Sequence, residues 1–114
     1  MQSMLTRFPK IDAVFTVNDP MAIGASLAAR QMHRDDFFII SVDGSPDIEA
    51  AIKDPNTKIL ALSYQDPYLM AVKAVRAGQD ILNGKTIKPV ITLIPPTLIT
   101  ERNVATIPGW SAPH

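Results

Sequence analysis

Cysteine is absent from this sequence, aromatic residues make up only 6% of it, and neither sign of charge is in excess. Without cysteine there is no disulfide scaffold, no cysteine-ligated zinc site and no thiol nucleophile. Because 11 basic residues balance 11 acidic ones, no overall field favours nucleic acid or an anionic membrane. The apolar runs are too short to span a bilayer, and we expect no signal peptide in this chain.

The motifs of catalysis are also missing. There is no Gly-x-Ser-x-Gly turn, no glycine-rich phosphate loop and no spacing of His and Asp that suits a metal. A phosphoacceptor receiver domain fits the length, but it needs an acidic pair after the first strand and a lysine at a later strand end. Here the acidic pair is missing, and the later strand ends offer Gln65 and no lysine. His33 and His114 are expected to be solvated. We therefore predict a protein that is not an enzyme and uses neither cofactor nor metal.

Proline is abundant, with ten in 114 residues, and three prolines recur in one local pattern. An apolar, β-branched run is followed by a polar turn, a proline and a helix-forming stretch. The runs are 13–17, 37–42 and 59–64, and the prolines are Pro20, Pro46 and Pro67. Proline suits the first turn of a helix, where its missing N–H costs nothing. The preceding residues, Asp19, Ser45 and Asp66, are predicted to cap these helices.

The pattern predicts helices over 20–32, 46–54 and 67–82, the last ended by Asn83-Gly84. The first seven residues look like the end of a helix. Strand-like runs at 90–94 and 98–100 are separated by two prolines, and the last eight residues look irregular. Trp110, in that tail, is expected to anchor packing or to belong to a disordered tail rather than to stack on a sugar.

Alternating strands and helices with short turns predict an α/β fold, a three-layer arrangement with a parallel sheet between flanking helices. Ligands bind such sheets beyond the carboxyl ends of the strands. The polar residues at these ends include Asn18, Asp43 and Gln65, and amide and carboxylate groups suit a ligand rich in hydroxyls. Asp43 could instead serve as a turn carboxylate before Gly44.

Four segments resemble, in order, the sugar-binding proteins of bacterial ABC importers. Residues 8–25 read FPKIDAVFTVNDPMAIGA, residues 39–47 read IISVDGSPD, residues 63–67 read SYQDP, and residues 98–104 read LITERNV. Together they are similar to the ribose- and galactose-type periplasmic receptors, or type I periplasmic binding proteins. These receptors share a fold with the ligand-binding cores of LacI-type repressors.

The resemblance implies a partial periplasmic-binding-protein-like (Rossmann-like) lobe that binds a monosaccharide or polyol without catalysis. The intact protein would deliver the sugar to an ABC permease from the periplasm. Asn18, Asp43 and Gln65 would be the sugar ligands, with no cofactor and no nucleic acid involved. Residues 1–65 would form part of the carboxyl-terminal lobe. Residues 66–88 would hold a helix that packs on the other lobe, and 89–114 a hinge-crossing strand and the tail.

Members of this family are roughly twice the length of this chain or more, so we expect a carboxyl-terminal fragment without the first lobe. The apolar stripe of helix 67–82 would then need another partner, through a homodimer or a swapped oligomer. The alternative function is the effector-binding core of a LacI-type repressor. Residues 101–104, Glu-Arg-Asn-Val, favour the importer because repressors tend to close with Arg-x-Ser. A third reading is an inert structural fragment.

Overall fold

The computed structural model describes residues 1–112, so His114 lies outside the described residues. The described residues form four helices: α1 (Gln2–Arg7), α2 (Asp19–Gln31), α3 (Pro46–Ile52) and α4 (Pro67–Leu82). Four strands accompany them: β1 (Ala13–Phe15), β2 (Phe38–Asp43), β3 (Ile59–Tyr64) and β4 (Thr97–Thr100). Short 3-10 turns cover Pro55–Thr57 and Val104–Thr106. The predicted α/β class is confirmed.

The strands form one sheet in the order β1-β2-β3-β4. The first three strands run parallel, with Val14 opposite Ile39 and Ser41 opposite Leu62. Strand β4 is antiparallel to β3. Because neighbouring parallel strands end at the same edge of a sheet, β1, β2 and β3 bring the residues that follow them to one place.

The core lies between the sheet and helices α2 and α3. The largest fully buried side chains include Ile39, Leu62 and Ile99 from the strands and Ile48 from α3. Helix α2 contributes small residues, since its alanines at positions 22, 25, 28 and 29 are all buried. Small side chains let the helix axis approach the sheet closely, which explains why α2 needs few large apolar residues.

The other face of the sheet is open. Side chains of a strand alternate between its two faces, and several that point away from the core are exposed, such as Phe15, Phe38 and Leu98 at 62%, 41% and 66%. The described residues thus build two of the three expected layers. Within residues 1–112, no helix is long and apolar enough to cross a membrane.

The helix starts follow the proline pattern, but only one of the three predicted side-chain caps is confirmed. Asp66 caps α4 as predicted, accepting a hydrogen bond from the Leu69 N–H at 2.8 Å. The prediction for Asp19 was wrong: Asn18 caps α2 by accepting from Met21, while the Asp19 carboxylate turns into the protein. Ser45 occupies the cap position of α3 but makes no capping hydrogen bond with its side chain.

The segment 90–94 is not a strand, so that prediction was wrong. Its side chains are exposed except for the half-buried Ile94, with Val90 at 91% and Leu93 at 86%, and in the described chain no neighbouring strand pairs with it. A β-branched run cannot form an isolated strand, because its backbone groups need a partner. Only the run after the two prolines pairs, as β4.

Helix α4 stands away from the core. Its predicted bounds, 67–82, are confirmed, and Gly84, with φ of +76°, follows its end. None of its residues is buried within the described structure, and Val75 and Leu82 are 71% and 88% exposed. The predicted packing of α4 on another lobe stays a prediction, as do the proposed domain bounds.

An ion pair and its hydrogen bonds connect the end of α1 to the α2–β2 loop. The Arg34 guanidinium binds Asp36 through two hydrogen bonds of 2.7 Å and donates to the carbonyls of Leu5 and Phe8. The Ile11 N–H also donates to Asp36. The hydrogen bonds from Arg34, and then the one from Ile11, hold the pKa of the Asp36 carboxyl well below its usual range.

We predict that Asp36→Asn destabilises the fold at neutral pH and flattens its response to acid. A carboxyl with a lowered pKa stabilises the folded state above its unfolded pKa of about 3.9, and that contribution is lost as pH falls through the lower folded value. Urea unfolding at pH 7 and at about pH 3 measures both effects. The control is Asp12→Asn, whose side chain is 82% exposed in its pair with Lys10; equal behaviour of the two variants would contradict the prediction.

Candidate functional site

Two of the three predicted ligand residues touch each other at the carboxyl edge of the sheet. The Gln65 side-chain amide donates to Asp43 Oδ1 at 2.9 Å, and the Gln65 backbone N–H donates to the Asp43 carbonyl at 2.8 Å. Asp43 ends β2, and Gln65 directly follows β3. The parallel pairing of β2 with β3 brings them together across 22 residues of sequence.

Asn18 lies at the same edge, after the end of β1. It is half-buried, and its Oδ1 accepts a hydrogen bond of 3.1 Å from the Met21 N–H. This bond fixes the side chain at the start of α2. Asn18 makes no hydrogen bond with Asp43 or Gln65 in the described residues, so the structure gathers the three at one edge and links two of them.

The three side chains keep hydrogen-bonding capacity that the described residues do not use. The Asn18 amide nitrogen, Asp43 Oδ2 and Gln65 Oε1 each have no hydrogen-bond partner within residues 1–112. An amide N–H donates, while carboxylate and amide oxygens accept. Hydroxyl groups of a ligand both donate and accept, so a polyhydroxylated molecule matches this set. None of the described residues forms a cluster able to hold a metal ion.

The backbone that carries Asp43 is unusual. Asp43 and Gly44 have φ of +115° and +107°, a region that L-residues seldom occupy and that tends to occur at functional sites. The ring of Tyr64 packs against Gly44. Burial, followed by the nearby carboxylates of Asp66 and Glu49, raises the pKa of Tyr64, so its hydroxyl stays protonated.

A buried polar network beneath the site was not predicted from the sequence. The Asp19 carboxylate accepts hydrogen bonds from the N–H groups of Gly44 at 2.9 Å and Ser45 at 2.6 Å. Ser41 donates to the same carboxylate at 3.4 Å and accepts from the Thr16 hydroxyl at 3.0 Å. The one sign of this network in the local sequence is Asp19 itself, and an aspartate at that position is equally typical of a helix cap.

The tail closes one side of the site. Trp110 Nε1 donates to the Gln65 carbonyl at 2.9 Å, which ties the tail to the residue that follows β3. Nearby, Gly109 is buried against the Glu49 carboxylate with φ of +67°. A cavity of about 290 Å³ lies beside Gln65. Its lining residues come from the ends of β2 and β3, the start of α4 and the prolines before β4: Val42, Ser63, Gln65, Asp66, Met70, Ile94, Pro95 and Pro96.

An open α/β sheet with three parallel strands and unpaired polar side chains at their carboxyl edge is typical of ligand-binding domains. A family model described as "Periplasmic binding protein domain" matches residues 1–86. The chain therefore belongs to the periplasmic binding protein family.

Relatives with stated roles are binding proteins for sugar import. The chain is 40% identical over 92 residues to the ribose import binding protein of Bacillus subtilis, covering 81% of this chain and 29% of that protein. It is 36% identical over 104 residues to the D-apiose import binding protein of Paraburkholderia graminis, covering 90% and 33%.

A solved structure gives the same picture of the fold. The ABC transporter solute binding protein of Agrobacterium vitis with bound allitol superposes with a TM-score of 0.84 and 26% identity, covering 92% of this chain and 37% of that one. The chain thus spans roughly a third of the length of the relatives it matches.

Proposed function

We propose that this chain is part of the solute-binding component of a sugar ABC importer and that its carboxyl-edge site binds a monosaccharide or polyol. The observation that carries the proposal is the contact between Asp43 and Gln65 at the edge where Asn18 also lies. Each of the three side chains keeps a hydrogen-bonding group that the described residues do not use. The import binding proteins for ribose and apiose and the relative with bound allitol support the same ligand class.

The mechanism is capture without catalysis. Asp43 Oδ2 and Gln65 Oε1 accept hydrogen bonds from sugar hydroxyls, and the Asn18 amide donates one to a hydroxyl oxygen. Hydrogen bonds from hydroxyl groups to a carboxylate are of the stronger, charge-assisted kind. The whole protein would carry the sugar to an ABC permease, and we place it in the periplasm.

The repressor alternative is the weaker one. The relatives reported above are import and transport proteins, and the segment Glu101-Arg102-Asn103-Val104 also favours the importer. An inert structural fragment would not respond to ribose at all, so a single ribose titration distinguishes that role from the proposed function.

We predict that the chain binds ribose with a Kd of about 1 mM or weaker, because it forms only part of a cleft. Asp43→Ala should weaken binding by about 10–100-fold, since a hydrogen bond to a charged group contributes about 1.5–3 kcal/mol. A titration followed by NMR measures both values, with apiose and allitol as parallel ligands.

The matched control is Asp12→Ala, which removes an exposed carboxylate near the amino end of β1. It should leave the ribose affinity unchanged. Micromolar affinity for the chain alone would contradict the partial cleft. Equal ribose binding by Asp43→Ala and Asp12→Ala would contradict the site.

A further inference from the structure

A single buried carboxylate joins the two strand ends that carry Asn18 and Asp43. Asp19 is only 1% exposed, and it directly follows Asn18. Its Oδ2 accepts hydrogen bonds from the N–H groups of Gly44 and Ser45, the two residues that follow Asp43. The Asp19 side chain therefore fixes the backbone on both sides of the gap between these two ligand residues.

The carboxylate is itself held from behind. Ser41 donates to Asp19 Oδ1, and Thr16 donates to Ser41, and the side chains of all three residues are buried. A buried charge persists in a fold only where hydrogen bonds satisfy it. The series of hydrogen bonds from Thr16 through Ser41 to Asp19 thus forms a buried support beneath the proposed site.

The loop that contains Asp43 and Gly44 has a strained backbone that requires support from neighbouring groups. Asp43 and Gly44 both have φ beyond +100°, and a backbone in that region persists only when surrounding interactions hold it there. The two hydrogen bonds to Asp19 begin at Gly44, immediately after Asp43. We propose, on the basis of the function proposed above, that Asp19 is a positioning residue that orients the Asp43 carboxylate toward Gln65 and the sugar.

The Gln65 side-chain amide signal in NMR reports this positioning without any ligand. Asp43→Ala removes the acceptor and defines the signal position of an unbonded amide. Asp19→Asn, which keeps the size of the side chain but not its charge, should shift the Gln65 signal at least half of the way to that position. The control is Ile52→Val, a buried change on α3 that should lower Tm and leave the Gln65 signal in place.

A purely structural role for Asp19 predicts a lower Tm with no change at Gln65 beyond that of Ile52→Val, and that result would overturn the proposal. Should Asp19→Asn fail to fold, hydrogen exchange in the unmodified chain decides. The Gly44 and Ser45 amides must be protected, and exchange at the rate of a free loop would overturn the proposal.

A ribose titration separates this inference from the proposed function. If the unmodified chain binds ribose, Asp19→Asn should weaken binding by about tenfold or more, although Asp19 does not touch the sugar; unchanged affinity would overturn the inference. If the unmodified chain does not respond to ribose, the proposed function fails, while the Gln65 signal still tests whether Asp19 orients Asp43.

Discussion

Gly44→Ala should lower the free energy of unfolding by about 2–5 kcal/mol, from a strained backbone and an overpacked ring together. At φ of +107° a side chain is strained whatever space surrounds it. A Cβ there would also overlap the Tyr64 ring, whose Cε2 would be 2.9 Å away. Domains of this size are stable by only about 5–15 kcal/mol, so the loss is a large share of the total.

Gly24→Ala is the matched control, since a Cβ on Gly24 would meet nothing within 4 Å in helix α2. It should raise stability by about 0.5–1 kcal/mol because alanine favours a helix over glycine. Urea unfolding followed by circular dichroism measures both variants. A neutral Gly44→Ala would mean that Tyr64 does not pack against this turn as described.

The isolated chain should self-associate through helix α4. Its outward stripe includes Leu69, Val72 and Val75, and no residue of the helix is buried in the described structure. A groove of about 470 Å³ between α4 and the segment 87–94 adds further uncovered apolar surface. Apolar surface of this extent on a small domain favours association. Light scattering should therefore detect species heavier than the 12.4 kDa monomer.

Val75→Glu should raise the Kd of association by about tenfold or more, because a buried Val side chain contributes about 1.5 kcal/mol. The control is Leu27→Glu on α2, where a leucine 53% exposed undergoes the same chemical change away from α4. A stable monomer of the unmodified chain would contradict the prediction. So would an equal loss of association in both variants, which would indicate general stickiness instead of a defined face.

Local patterns predicted the elements well where strand, cap and proline agree. Asp66 and Pro67 start α4 where the sequence indicates, because a cap and a helix-compatible proline act within one turn. The rule that ligands meet the carboxyl edge of parallel strands also selected Asp43 and Gln65, which the fold brings into contact. The contact itself depends on the register between β2 and β3, and the rule for the carboxyl edge does not specify that register.

The features that the sequence did not predict depend on contacts between residues far apart in the chain. Asp19 and its neighbour Asn18 are both good caps, and only the loop 25 residues away decides which of them turns inward. The run 90–94 is apolar and β-branched, yet strand formation requires a partner strand that the described chain does not place there. The open face at Phe15 and Phe38 likewise depends on what the rest of a longer protein would supply.

The central claim is that a sugar binds at the carboxyl edge of the sheet. Amide NMR of the chain titrated with ribose tests it most directly, because the side-chain amides of Asn18 and Gln65 and the backbone amide of Gly44 each give their own signal. We expect these three signals to shift most and in a saturable way. Shifts confined to α4 and the segment 87–94, or no response at the highest soluble ribose concentration, would contradict it.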